Sequence, residues 1–177
     1  LVDIVKQGKA LYVGISKYPK EQAAFAYKYL KERDVHCLLY QGKYNLFNRE
    51  PENEGILRQA QENGSGFIAF SPLAQGLLTN RYLNGIPEDS RIAKGGFLKK
   101  EALTDEVLKK VKGLNEIAAQ RGQTLAEMAL AWVLKDDLVT SVIVGASSVA
   151  QLADNLKSIE QTNFSSEELS IINQILK

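Results

Sequence analysis

The stretch at residues 66–78, GFIAFSPLAQGLL, decides how the chain is read. It opens as a short apolar run, Phe67-Ile68-Ala69-Phe70, of the length and composition of a buried strand. Ser71-Pro72 breaks the run abruptly, and a helix-prone segment starts near Gly76. In parallel α/β proteins the loops at the C-terminal ends of such strands carry the chemistry.

Three other places repeat the pattern of apolar strand followed by polar loop. Residues 10–15, ALYVGI, end in Ser16-Lys17; residues 35–40, VHCLLY, end in Gln41; and residues 141–144, SVIV, run into Gly145-Ala146-Ser147-Ser148. Helical patterns lie between them. Pro19 suits a first helical turn, and over 21–31 the spacing of Ala24, Phe25, Tyr29 and Leu30 predicts one buried face. Pro51 opens a helix over 52–62 with Ile56, Leu57 and Ala60 inward, and Asn63-Gly64 ends it. A long polar loop follows at about 82–102, carrying NGIPEDSR and Gly95-Gly96. Thr104 is an N-cap for a helix bearing Val107, Leu108, Val111 and Leu114, which Gly122 ends. Thr124 with Glu127 makes a capping box before a core face of Leu125, Met128, Ala129, Trp132 and Val133. A helix over 149–157 follows the last strand, and one capped by Ser165 or Ser166, with Glu168 favourable to its dipole, closes the chain. The opening LVDIVKQGK reads as the last turn of a helix stopped by Gly8, without an initiator methionine, and predicts a piece of a longer polypeptide.

The 177 residues, 45% hydrophobic and 24% charged, suit one globular domain. A net charge of +1 gives no electrostatic reason to expect nucleic acid or a membrane surface as partner, and no apolar run approaches the length of a membrane span. The single cysteine, Cys37, lies in an apolar run and reads as a buried, inert thiol; with no signal-peptide pattern this predicts the cytoplasm. The element order βα-βα-βα-(loop)αα-βαα implies a parallel sheet with right-handed crossovers. Four βα units make half of a (β/α)8 barrel; a small open α/β sheet is the alternative. No Gly-x-Gly-x-x-Gly follows any strand, which disfavours a Rossmann domain.

The polar strand ends recur at all four strands and point to a shared ligand, although each serine alone suits a cap or turn. Ser147-Ser148 precede a helix whose free N–H groups can hold an anion, and in the second half of a barrel this is the usual phosphate site. Lys17, Arg81 and Arg91 are candidate positive charges or solvated surface residues. Tyr44 suits stacking on a planar ring or capping a core, and the Gln41 amide can read another amide. His36, the only histidine, lies at the start of a strand and reads as structural. No metal-ligand cluster and no nucleophile–base–acid set is spaced along the chain, so no catalytic residue and no metal site is assigned.

Four blocks, GKALYVGISKY, LLYQGKYNLFNR, GFIAFSPLAQGLLTNRYLNGIP with DSR, and SVIVGASSVAQLADN, resemble the aldo-keto reductases in the right order over essentially the whole chain. The branch they are most similar to holds the bacterial glyceraldehyde-3-phosphate reductases and the β subunits of voltage-gated potassium channels. The resemblance implies that residues 1–177 are the second half, strands 5–8, of a (β/α)8 TIM barrel, bearing most of a face that binds NADP(H) extended across the strand ends. Carried over by motif, Ser16 and Lys17 lie near the cofactor and Gln41 meets the carboxamide. The aromatic on the nicotinamide is in the block of Tyr44 or Phe70. Ser71, Pro72, Leu73, Ala74 and Gly76 follow the pyrophosphate; Arg81 and Arg91 match a loop that folds over it. Gly145, Ser147, Gln151, Asp154 and Asn155 match the adenosine end. Many relatives place a basic residue or asparagine where Ser148 stands, which leaves NADP against NAD open.

The family's catalytic aspartate, tyrosine, lysine and histidine belong to strands absent here. The resemblance therefore implies part of an oxidoreductase that reduces aldehydes or ketones, inactive as this chain alone. The alternatives are a nucleotide-binding regulatory subunit and a half-barrel remnant without a ligand. Open edge strands predict that the isolated chain aggregates, pairs with an N-terminal half, or swaps into a closed dimer with a second copy.

Overall fold

The computed structural model describes residues 1–88, 90, 92–93, 95 and 98–177. Helix α1, Val2–Lys6, ends at Gly8, whose φ of +69° is the left-handed stop expected there. Strand β1, Val13–Ser16, leads through α2, Lys20–Lys31, to β2, Cys37–Lys43. Helices α3, Glu50–Asn53, and α4, Ile56–Glu62, lead to β3, Gly66–Phe70. Helices α5, Asp105–Gln120, and α6, Leu125–Val133, precede β4, Ser141–Ile143; α7, Val149–Leu156, and α8, Ser166–Leu176, follow it. The described strands form one sheet in the order β1-β2-β3-β4, every neighbouring pair parallel. Helical crossovers are what join consecutive parallel strands.

One face of the sheet is packed. Val13, Ile15, Cys37, Tyr40, Phe67 and Ala69 are buried in one cluster with Leu30 of α2, Leu57 of α4, Leu114 of α5 and the buried side chains of α6. Nearly every residue of α6 is apolar and buried, as befits a helix enclosed on all sides. The other face is open. Its rows run Gly14–Leu39–Gly66, Ser16–Gln41–Ile68–Ser141 and Lys43–Phe70–Ile143. Ser16, Lys43 and Ile143 on it are exposed, and Leu39, Gln41, Ile68 and Phe70 are half-buried.

The predicted caps form. Thr104 accepts from Val107 N, and both Thr124–Glu127 and Ser165–Glu168 are complete capping boxes. Four expectations are corrected. α2 turns Ala23, Tyr27 and Leu30 inward and leaves Phe25 and Tyr29 exposed, because the sheet lies against only one stripe of the helix. The helix expected over 52–62 breaks at Gly55, whose φ is +76°. β4, expected to be buried, is an edge with Ser141 and Ile143 exposed. The helix-prone segment near Gly76 is only a 3-10 turn, Ala74–Gly76.

Two polar clusters tie the outer layer together. Arg121 donates to Glu168 Oε1 at 2.7 Å, Gln161 O at 3.2 Å and Asn163 O at 3.0 Å, and its guanidinium lies 3.8 Å from the Phe164 ring centroid, joining the end of α5 to α8. Arg49 makes a bidentate bond to Glu52, with both N–O distances 2.8 Å, and donates to Asn173 Oδ1 of α8 at 2.5 Å.

Candidate functional site

The C-terminal ends of the strands are held in conformations that ordinary residues avoid. Lys17, directly after β1, has φ +58°, and Ser71, directly after β3, has φ +53°. Left-handed backbone costs a non-glycine residue about 1–2 kcal/mol, and such residues concentrate at functional sites. Named bonds hold both. Lys17 N donates to Gln41 O at 3.0 Å. The Asn45 side chain, wholly buried, donates to Ser71 O at 2.8 Å while its Oδ1 accepts from Phe47 N and Asn48 N, each at 2.9 Å. Beyond Ser71 the chain tightens, with Ala74 and Gln75 also at positive φ and Gly76 at +102°.

Between the ends of β3 and β4 lies a cleft of about 590 Å³. On one side it is walled by Ser71, Pro72, Leu73, Gly76 and Arg81, and on the other by Gly145, Ser147, Gln151, Asp154 and Asn155. All ten are residues expected from the sequence, and the fold brings together stretches some seventy residues apart. The N-terminus of α7 opens into this cleft. Ser148 Oγ caps Gln151 N at 3.2 Å, while Gln151 Oε1 accepts from Ser147 N at 2.7 Å and Ser147 Oγ at 3.0 Å. The next amides, at Val149 and Ala150, have no acceptor within the helix, so the positive end of the helix faces the cleft. Asp154 is ion-paired with Lys157 at 2.8 Å, which raises the lysine above its ordinary value and offsets the carboxylate in the wall.

Asn155 stands out among the lining residues. It is buried, and its Nδ2 has no hydrogen-bond partner. An unmade bond at a buried amide costs about 1–3 kcal/mol, so this side chain is one that the fold by itself leaves unsatisfied.

The other expected residues lie elsewhere. Ser16, Lys17, Gln41 and Phe70 are on the adjoining strand ends and the open face, outside the cleft lining, with Ser16 beside Gln41 by register. Ala74 packs partly against the core. Arg91 lies outside the described residues.

Tyr44 is a correction. It is wholly buried, edge-on to Phe67 at 6.3 Å and tilted against Trp132 at 5.3 Å. Its hydroxyl donates to Glu52 Oε2 at 3.0 Å and accepts from Lys135 Nζ at 3.1 Å. Burial first, then the Glu52 carboxylate, push its phenol well above the ordinary range. The ring is a core cap without a free face, because the backbone after β2 turns it under the helices. Phe70 is the aromatic left on the open face.

Sequence reasoning missed Gln75, Thr79, Asn80, Thr124 and Ile143 as cleft residues. Thr79 and Thr124 carry a recognisable cap signal but are spent on the caps of the Asn80–Tyr82 turn and α6; the others carry none. His36 is exposed at the start of β2 with Nε2 3.2 Å from Gly64 O, at the opposite end of the sheet.

The family model described as the aldo/keto reductase family matches residues 1–177. An L-glyceraldehyde 3-phosphate reductase of Escherichia coli O157:H7 is 49% identical over 98% of this chain and 51% of its own length. A probable voltage-gated potassium channel subunit beta of Oryza sativa subsp. japonica is 36% identical over 89% of this chain and 49% of its own. A crystal structure of a thermostable aldo-keto reductase, Tm1743, with the inhibitor epalrestat, superimposes with a TM-score of 0.69 at 26% identity, covering 98% of this chain and 51% of that one. The chain thus spans about half the length of the relatives it matches.

Proposed function

The chain belongs to the aldo/keto reductase family, and from that premise we propose that it is the NADP(H)-holding half, strands 5–8, of a (β/α)8 barrel that reduces aldehydes or ketones to alcohols. The observation that carries the reading is the buried, unpartnered Asn155 amide in a cleft beside the N-terminus of α7. An adenine ring offers acceptors to such an amide, and phosphates suit free helix amides. The residues fit an extended dinucleotide. Asn155, Asp154 and Gln151 take the adenosine end, Ser147 and Gly145 the adjoining phosphate, Ser71 to Gly76 with Arg81 the pyrophosphate, and Gln41 with Ser16 and Lys17 the nicotinamide amide. Phe70 lies under the ring. The bound cofactor supplies hydride to a carbonyl carbon.

This chain positions that cofactor, and none of its described residues is assigned as a proton donor to the carbonyl oxygen. Alone it binds NADPH without reducing aldehydes. Titration of the 177-residue chain, followed by the fluorescence of the reduced nicotinamide, gives saturable binding that Asn155→Leu weakens at least tenfold. Absence of saturable binding of both NADPH and NADH overturns the reading. Supplied with a polypeptide carrying the first four strands, it turns over a small aldehyde; a three-carbon phosphorylated aldehyde is the first to try, given the E. coli relative's name. The channel-subunit relative supports a second reading, a regulatory nucleotide holder, which predicts binding and no turnover even then.

A further inference from the structure

Two asparagines of the chain are followed by glycine, Asn63 and Asn84, and both are exposed. In this pair a side chain can react with its own backbone. Glycine has no Cβ, so its amide nitrogen turns toward the preceding side-chain carbonyl with little obstruction. The two pairs are held differently. Asn63 closes α4, and its Nδ2 donates to Gln59 O at 2.8 Å. Gly64 N donates to Gln61 O at 2.9 Å, and Gly64 O lies 3.2 Å from His36 Nε2. Bringing the Gly64 nitrogen onto the Asn63 side chain breaks these ties, and each broken hydrogen bond lowers the reactive population about fivefold. Asn84 lies in the turns that follow the cleft wall. There Leu83 N and Gly85 N donate to Asn80 O and Tyr82 O at 3.3 and 3.4 Å, the long end of the hydrogen-bond range. Gly85 has φ +113°, and among the described residues nothing lies within 4 Å of the place a Cβ would take.

We propose that Asn84 deamidates spontaneously in the folded protein, far faster than Asn63, and that the new carboxylate weakens anion binding at the Arg81 side of the cleft. The Gly85 nitrogen gives up its proton and bonds to Asn84 Cγ, closing a succinimide ring. The Cγ–Nδ2 bond breaks, and ammonia leaves with the proton. Water then opens the ring at one of its two carbonyls, leaving aspartate or isoaspartate. Water is the one co-reactant, and no electron changes hands. Arg81 lines the cleft and stands three residues before Asn84. Side chains three apart share a side in a 3-10 turn, the conformation of Asn80–Tyr82. The carboxylate therefore arises on the side of the guanidinium and offsets part of its charge. This second step rests on the nucleotide-holding reading of the cleft; the chemistry at Asn84 does not.

The experiment ages the purified protein for days in warm, mildly alkaline buffer, folded and in concentrated urea, and follows both sites by peptide mass. Trypsin separates them, releasing residues 59–81 and 82–91. In the folded protein the 82–91 peptide should convert at least about tenfold faster than the 59–81 peptide, the effect of two retained hydrogen bonds. In urea the two rates should converge. Equal rates in the folded protein, or an 82–91 peptide that does not convert, overturn the proposal. Asn84→Asp, made directly, tests the charge by titration with NADPH. It should bind about twofold to fivefold more weakly than the unaltered protein, the size of one exposed charge interaction. Added salt should close that gap, which a merely structural effect would not do. Equal affinity at low salt overturns the charge step. Failure of both proteins to bind nucleotide overturns the reading of the cleft and the charge step with it, while the peptide rates still decide the chemistry.

Discussion

Asn45 sits wholly buried between two strand ends, and its one side chain holds three backbone groups. Its alanine variant leaves Ser71 O and the Phe47 amide without their side-chain partner, at a cost of about 2–4 kcal/mol. Denaturant unfolding should show that loss. Because Ser71 loses the tie that keeps it left-handed, nucleotide binding should weaken beyond what the residual stability explains. Glu52 gives a pH signature. Burial works to raise its carboxyl, but the Arg49 fork, the charge of Lys135 and the Tyr44 hydroxyl prevail and hold it below the ordinary 4.5. A carboxyl depressed in the folded state stabilises fully above its unfolded value and loses that contribution as pH falls through the folded one. Melting of the chain should therefore weaken on acidification below about pH 4.5, and Glu52→Gln should flatten that slope. At this scale the sequence was readable for the polar strand ends and misleading for Tyr44. A residue just past a strand can point either way, and here the turn is tied by Asn45 to Ser71 O, 26 residues further along the chain, which no local motif records.

Elements were legible where a local signal exists. The three N-cap threonines and serines and the inward stripe of α6 are short-range patterns, and they form as read. The Gly55 break had a local signal, a glycine inside the helical pattern, which the inward spacing of Ile56, Leu57 and Ala60 masked; the positive φ shows the joint. Joints between elements are also where single substitutions bite. The Arg121 side chain is only 3% exposed and bonds Glu168, two carbonyls and the Phe164 face at once. Arg121→Ala should cost about 2–3 kcal/mol, with Glu168 half-exposed enough to be rehydrated. Limited proteolysis should then cut first between α7 and α8, and Arg121→Lys should restore little because a lysine cannot span the same fork.

For the whole molecule, the parallel strand order followed from counting strands, but burial did not. Ile143 reads as core by its apolar run yet lies exposed in the chain. Apolar periodicity records what a residue meets in the finished assembly, and a lone sheet with one covered face satisfies only half of it. Complementation should therefore restore order as well as chemistry. With the proposed nucleotide bound, the chain should melt at a higher temperature than without it, by an amount that grows with nucleotide concentration.

The chain has a single tryptophan, and it lies wholly buried between Lys135 Nζ, 4.1 Å from the ring centroid, and the Arg49 guanidinium, 5.1 Å away. That makes Trp132 a built-in optical gauge. Its indole sees neither solvent nor the strand-end cleft, so its emission colour tracks the loosening of the outer helical layer. Reduced nicotinamide, bound as proposed, would emit in a separate band. One cuvette can then follow unfolding and ligand uptake in two colours, without a dye or an engineered label.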